Sequence, residues 1–127
     1  FADPMQRRAL EAIVHPEVER LRALEERAAA GRGENIIVHA IPLLFETGLD
    51  AGFDTIVFVD AAEPLRLERL MTNRSLPERD ARAMTEAQQP AATKRVRAHH
   101  VIVNEGTLDD LAEEARRVWR MIEAEAA

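Results

Sequence analysis

The sequence has no cysteine among its 127 residues, which excludes a disulfide framework and thiol chemistry. No run of 18 apolar residues is present, which argues against a membrane-spanning helix. A net charge of −6 argues against a general nucleic-acid or membrane surface. We therefore expect a cytoplasmic protein with a single domain over residues 1–127, large enough to bury a core, and with no nucleic-acid or membrane partner.

A phosphate-binding glycine loop is also missing, because no G-x-x-x-x-G-K-[ST] occurs and the five glycines are scattered. Positive charge, in contrast, is concentrated. Residues 66–97 contain eight basic and four acidic side chains within an otherwise acidic chain, and Lys94 is the only lysine. This basic segment predicts a local anion site. The alternative for any single arginine in it is a solvated helix face.

Three apolar stretches have the β-branched composition of strands buried on both faces of a parallel sheet: residues 35–41, 54–61 and 100–103. Helical patterns surround them. They predict an α/β fold, a three-layer parallel sheet flanked by helices, with ligands at the carboxyl ends of the strands. His99 and His100 are neighbours at the start of the third stretch, where adjacent strand residues point to opposite faces, so we predict no metal site there.

Helix boundaries follow from capping and proline signals. Asp3 caps a helix that begins at Pro4, and Pro16 predicts a break or kink at His15, so residues 1–33 are expected to form two helices. Further helices are predicted over residues 63–74, from a capping box at residues 75–78 to Gln88, over residues 94–97, and after a Thr107 cap.

The stretch that follows residues 35–41 is unusual because apolar side chains stand where a polar loop would be expected. It consists of Pro42, Leu43, Leu44, Phe45 and Glu46. It is either a plug of the core or a wall of a ligand site. Its place at the carboxyl end of a predicted strand favours the ligand site.

Four pieces, in this order and spacing, resemble the dephospho-CoA kinase family: "IVHP" (13–16), "IPLLFETGL" (41–49), "RLMTNRSLPERDARAMTEAQ" (69–88) and "VNEG" (103–106). Members are P-loop kinases that use ATP and Mg²⁺ to phosphorylate the ribose 3′-hydroxyl of dephospho-CoA. The resemblance covers nearly all of this chain and the later part of the family's chain. It implies a fragment or truncated copy, with an incomplete sheet that lacks the central first strand and the phosphate loop.

The resemblance also implies roles for individual residues. Residues 66–97 correspond to a lid that closes over the triphosphate, and residues 1–33 to the substrate-side helices. Catalytic roles fall to Arg74 and Arg82. The acceptor substrate is bordered by His15, Pro42, Leu43, Leu44, Phe45 and Glu46. Donor-nucleotide contacts fall to Arg69, Arg74, Gln88, Asn104 and Gly106. Structural alternatives are a helix cap for Gln88 and an ordinary Asn-x-Gly turn for Asn104 and Gly106.

Departures from the family pattern favour a second hypothesis. Ala40 stands where the family usually has an Asp suited to Mg²⁺, and Met84 where it usually has a lid Arg. His99 and Val103 replace two further Asp residues. A non-catalytic module that keeps CoA or nucleotide binding is therefore the alternative to a kinase, and an unrelated α/β binding domain is a third. Unpaired strands beside the missing one also predict self-association.

Overall fold

The computed structural model describes residues 3–127. The chain divides into two compact units, one that ends at His39 and one that runs from Ala40 to Ala127. Within the described residues, every helix is too short or too polar to span a lipid bilayer.

The first unit is built on one long helix, α1, Pro4–Gly31. Its predicted cap is confirmed, because Asp3 Oδ1 accepts hydrogen bonds from the N–H groups of Met5 at 2.8 Å and Gln6 at 3.5 Å. The predicted break at His15 is wrong, since the helix continues through Pro16. Proline inside a helix costs about 3 kcal/mol.

Ion pairs along α1 offset part of this cost. Arg20 contacts Glu17 at 2.6 Å, and Arg22 contacts Glu19 at 2.7 Å and Glu26 at 3.0 Å. Pairs at these spacings stabilise a helix because residues three or four apart lie side by side on its surface. The helix continues beyond the proline with these pairs along it, so the local breaker signal was misleading.

The predicted strand at residues 35–41 is wrong, because this stretch joins no sheet within residues 3–127. Apolar β-branched composition does not make a strand by itself. A strand requires a neighbour that pairs with its backbone N–H and C=O groups, and the described chain supplies none here.

The second unit contains a two-stranded parallel sheet of β1, Val57–Asp60, and β2, His100–Val103. Both strands were predicted, although the first is shorter than residues 54–61. In register, Val57 lies opposite His100 and Asp60 opposite Val103. Ile102, which lies opposite Val59, and Ile56, which precedes β1, are both buried.

Four helices accompany the sheet: α2, Glu63–Arg74; α3, Glu78–Glu86; α4, Ala91–Arg97; and α5, Leu108–Ala126. The first three form the connection between β1 and β2. α4 packs on β1, α5 packs on β2, and α2 packs on α3. The predicted α/β class and the bounds of α2 are confirmed.

Two predicted caps have different outcomes. Thr107 caps α5 as predicted, since its Oγ1 accepts from Asp110 N–H at 3.1 Å and Asp110 Oδ2 accepts from Thr107 N–H at 2.7 Å. The capping box at Ser75 is wrong. Ser75 adopts a left-handed conformation, φ 51°, that ends α2, and α3 starts after Pro77 and ends at Glu86, before Gln88.

Candidate functional site

Residues 42–48 form a compact turn closed by backbone hydrogen bonds. Thr47 N–H donates to Leu43 O at 3.0 Å, and Leu49 N–H donates to Leu44 O at 3.1 Å. Gly48 has φ +70°, a conformation that favours glycine. Phe45 is buried, whereas Leu43 is 43% exposed. The turn therefore has a buried side, where Phe45 fills the core, and an outer apolar surface that includes Leu43.

Glu46 faces inward and meets the only lysine of the chain. Lys94 Nζ lies 2.6 Å from Glu46 Oε1, and Gln89 N–H donates to the same oxygen at 3.0 Å. Burial by itself raises the pKa of Glu46, but the hydrogen bonds from Lys94 and Gln89 outweigh it and hold that pKa below its usual value. Glu46 is thus an ionised, internally paired carboxylate.

Two more basic residues of α4 contact carboxylates. Arg95 Nε lies 2.5 Å from Oδ2 of the buried Asp60. Arg97 pairs with Asp50, and its guanidinium carbon lies 4.7 Å from the centre of the Phe45 ring. Lys94, Arg95 and Arg97 are thereby committed to the chain's own side chains, so part of the predicted anion site serves the architecture.

A cleft of about 540 Å³ opens at the carboxyl end of β1. Its wall is formed by the first turn of α2, the chain from the end of α3 to the start of α4, and the residue Glu105 after β2. The site therefore lies at the sheet edge where the α/β arrangement predicts ligands. Gln88 is the predicted site residue in its lining, which among the described residues includes neither Arg74 nor Arg82.

Arg66 is the least satisfied side chain of this cleft. Its Nε is buried without a hydrogen-bond partner within residues 3–127, so it can donate to an incoming oxygen. The lining has two basic side chains against four acidic ones, which are Asp60, Glu63, Glu86 and Glu105. Because acidic groups outnumber basic ones, this lining alone attracts a triphosphate weakly.

The loop after β2 joins two predicted nucleotide residues. Arg69 Nη1 donates to Asn104 O at 2.7 Å, which ties α2 to this loop. A side chain at Gly106 would place its Cβ 2.4 Å from Asp110 Oδ2, so the α5 cap requires glycine there. The backbone of both loop residues thus has a structural use.

Arg74, Arg82 and His15 are all exposed. Arg74 stands in the last turn of α2, where a cation interacts favourably with the helix dipole, and it has no ion-pair partner in the described chain. Arg82 contacts Glu78 one turn earlier on α3 at 2.8 Å, and this hydrogen bond raises the pKa of Arg82. His15 lies on α1 in the first unit.

Sequence reasoning missed Arg66, Arg95, Asp60 and Glu105 as cleft residues. The basic segment included the two arginines without distinguishing them from the others. Asp60 ends a strand, a position that could have been noticed. Its contact with Arg95 spans 35 residues and has no local signature.

Mg²⁺ does not fit the residues that the structure describes. Within residues 3–127, no group of three or more His, Asp or Glu side chains is placed to hold a metal ion. Asp60 is occupied by Arg95, and Glu105 Oε1 accepts from Ala62 N–H at 2.8 Å. No step of a reaction is therefore assigned to a metal held by these residues.

Known proteins resemble this chain in sequence and structure. The sequence model of the family described as "Dephospho-CoA kinase" matches residues 1–110. The dephospho-CoA kinase of Deinococcus radiodurans is 43% identical over 97% of this chain and 59% of its own length. That of Chlorobaculum tepidum is 35% identical over 96% and 58%.

A crystal structure of a Thermus thermophilus protein matches the whole chain with a TM-score of 0.73 and 35% identity, over 63% of its own length. The chain thus spans less than two thirds of these relatives. The family match nevertheless covers most of its 127 residues, and the chain belongs to the dephospho-CoA kinase family.

Proposed function

We propose that this chain is the acceptor-side and lid-bearing part of a P-loop kinase that transfers the γ-phosphoryl group of ATP to the ribose 3′-hydroxyl of dephospho-CoA in the cytoplasm. The family match over residues 1–110 carries the proposal. The placement of the cleft at the carboxyl end of β1 supports it, since nucleotides bind at this edge in α/β folds.

Donor-side roles go to the exposed arginines of the lid region. Within residues 3–127, Arg74 has no ion-pair partner and Arg82 has only a surface pair, so both side chains can turn towards a phosphate. In phosphoryl transfer such donors stabilise charge on the non-bridging oxygens. Arg69, Gln88, Asn104 and Gly106 border the nucleotide, and Arg66 is added as a donor in the cleft.

Acceptor-side roles go to the outer wall of the turn at residues 42–48, with Pro42, Leu43 and Leu44 facing the substrate and Phe45 and Glu46 fixing the turn from within. His15 of α1 is assigned to the same substrate. ATP and Mg²⁺ require groups beyond the described ones, because neither a phosphate loop nor a metal site is present among them. We propose further that the sheet is incomplete and that its central first strand belongs to the same missing part.

The test compares the isolated 127 residues with a joined enzyme, in which this chain is fused to the part of the Deinococcus radiodurans relative that it does not match. ADP formation is followed with and without dephospho-CoA. We expect no turnover and weak ATP binding from the isolated chain, since backbone amides that cradle the β-phosphate are missing. We expect turnover that depends on dephospho-CoA from the joined enzyme.

Two outcomes contradict this proposal. Turnover by the isolated chain would show that the phosphate loop is dispensable. Dephospho-CoA binding without turnover by the joined enzyme would favour the alternative, a non-catalytic CoA- or nucleotide-binding module, which Ala40 and Met84 support. A joined enzyme with alanine for the phosphate-loop lysine is the matched inactive control.

Self-association of the isolated chain is part of the proposal. The largely apolar residues 35–41 join no sheet within residues 3–127, and Val38 is 75% exposed. Light scattering over a range of concentrations should show association, and Val38→Lys should reduce it because a charge in an exposed apolar segment opposes pairing with another chain. A cooperatively melting monomer at every concentration would reject self-association.

A further inference from the structure

Lys94 is buried more completely than its charge would lead one to expect. Its residue is 5% exposed, and its ammonium contacts Glu46 at 2.6 Å and Gln88 Oε1 at 3.4 Å. It also lies 5.9 Å from the centre of the Phe58 ring. Burying a lysine is unfavourable unless several partners replace its water, and here three groups do so.

These partners belong to three different parts of the second unit. Glu46 lies in the turn of residues 42–48, Phe58 lies on β1, and Gln88 follows α3. Glu46 Oε1 also accepts from Gln89 N–H at 3.0 Å, so one carboxylate oxygen joins the turn to both α4 and the chain leaving α3. The Lys94–Glu46 pair therefore lies between the turn at residues 42–48, which is the proposed acceptor wall, and the end of α3 in the proposed lid.

A buried ion pair adds little to the net stability of a fold. Replacing a buried pair with apolar side chains is often neutral or stabilising. The charges instead hold the surrounding segments in one arrangement, because the carboxylate accepts two hydrogen bonds from fixed directions. Arg97 reinforces it from the next turn of α4, through Asp50 and the Phe45 ring.

We infer that Lys94 is a positioning residue for the acceptor side. It holds Glu46, and with it the outer wall of the turn at residues 42–48, against the chain that follows α3. It acts through Glu46 and does not itself contact substrate. Because the acceptor role of this turn rests on the function proposed above, one structural and one kinetic readout are needed.

The structural readout is amide hydrogen exchange in the 127-residue chain. Lys94→Met should speed exchange at Gln89 and residues 43–50 at least about tenfold more than in α5, because the unpaired Glu46 draws the turn into water. Glu46→Gln, which keeps the side-chain shape, should act in the same direction. Val96→Ala, on the same helix at an 87% exposed residue, is the matched control. An equal rise in all regions, or none, would overturn the inference.

The kinetic readout uses the joined enzyme. Lys94→Met and Glu46→Gln should each raise KM for dephospho-CoA about tenfold, and KM for ATP should change less than about twofold in Glu46→Gln, which leaves the contact between Lys94 and Gln88 in place. The exchanged pair, Glu46→Lys with Lys94→Glu, should recover only part of the loss, because a lysine at position 46 cannot accept the hydrogen bond from Gln89 N–H. Equal effects on both substrates would indicate general damage and overturn the inference. If the unsubstituted joined enzyme has no turnover, the proposed function fails, and hydrogen exchange alone decides the role of Lys94.

Discussion

The basic residues of α4 and those of α2 and α3 belong to one positively charged segment, yet the structure uses them differently. Lys94, Arg95 and Arg97 each contact a carboxylate far away in the sequence. Arg74 has no ion-pair partner in the described chain, and Arg82 contacts only Glu78 on its own helix. The first group, the committed cations, shapes the second unit, and the second group, the available cations, can reach a ligand.

Because cations of one segment differ in this way, local charge density does not identify a binding site. A surface pair such as that of Arg82 and Glu78 is screened by water and contributes little to stability, so a phosphate can displace it. Removing one partner of a buried pair costs several kcal/mol because a charge remains without compensation. Substitutions in the two groups should therefore have opposite consequences for turnover and stability.

The largest effect is expected at Arg74. In the joined enzyme, Arg74→Ala should reduce kcat about 100-fold or more, since losing one donor to a developing charge costs roughly 2–4 kcal/mol. Binding of dephospho-CoA should change much less. Steady-state kinetics and a binding titration measure the two effects. Unchanged kcat would reject the catalytic role of Arg74 and favour the alternative, an arginine on a solvated helix face.

A smaller effect, on stability, is expected at Arg95. Arg95→Met leaves Asp60 buried without its partner and should lower the free energy of unfolding by about 2–3 kcal/mol, a value reduced because the arginine itself is half exposed. Urea denaturation measures it. Arg79→Met, at a side chain 92% exposed, is the matched control and should change stability by less than about 0.5 kcal/mol. Equal losses would contradict the division into two groups.

The contribution of the Lys94–Glu46 pair to the free energy of unfolding should depend on pH. The pKa of Glu46 is lower in the folded chain than its usual 4.5, so its contribution to stability is complete above that value. It is lost as pH falls below 4.5 through the folded pKa. Urea midpoints measured from pH 7 to pH 3 should fall less steeply for Glu46→Gln than for the unsubstituted chain. Identical slopes would mean that Glu46 is not held ionised by Lys94.

Some of these features could be predicted from the sequence and others could not. The helix α2 and the cap at Thr107 follow from signals within a few residues, and both were predicted correctly. The same kind of signal failed at Ser75, where a Ser-x-x-Glu pattern coincides with a residue needed to end the preceding helix. A local pattern predicts a boundary reliably only where the residue can belong to the end of one element and not also to the start of another.

Long-range pairing accounts for the remaining misses. Residues 35–41 have the composition of a strand, but a strand forms only where a neighbour is available. The partners of Glu46 and Asp60 are 48 and 35 residues away, on a helix predicted merely as basic. The turn at residues 42–48 was recognised as unusual, while its division into a buried Phe45 and an exposed Leu43 required the structure.

The most direct test of the account measures kcat and the urea unfolding free energy together for Arg74→Ala and Arg95→Met in the joined enzyme. The account predicts that Arg74→Ala loses about 100-fold in kcat with stability unchanged within about 0.5 kcal/mol. It predicts that Arg95→Met loses about 2–3 kcal/mol of stability while its folded fraction keeps kcat within about threefold. A large loss of stability in Arg74→Ala with little change in kcat, or a 100-fold loss of kcat in stable Arg95→Met, would contradict it.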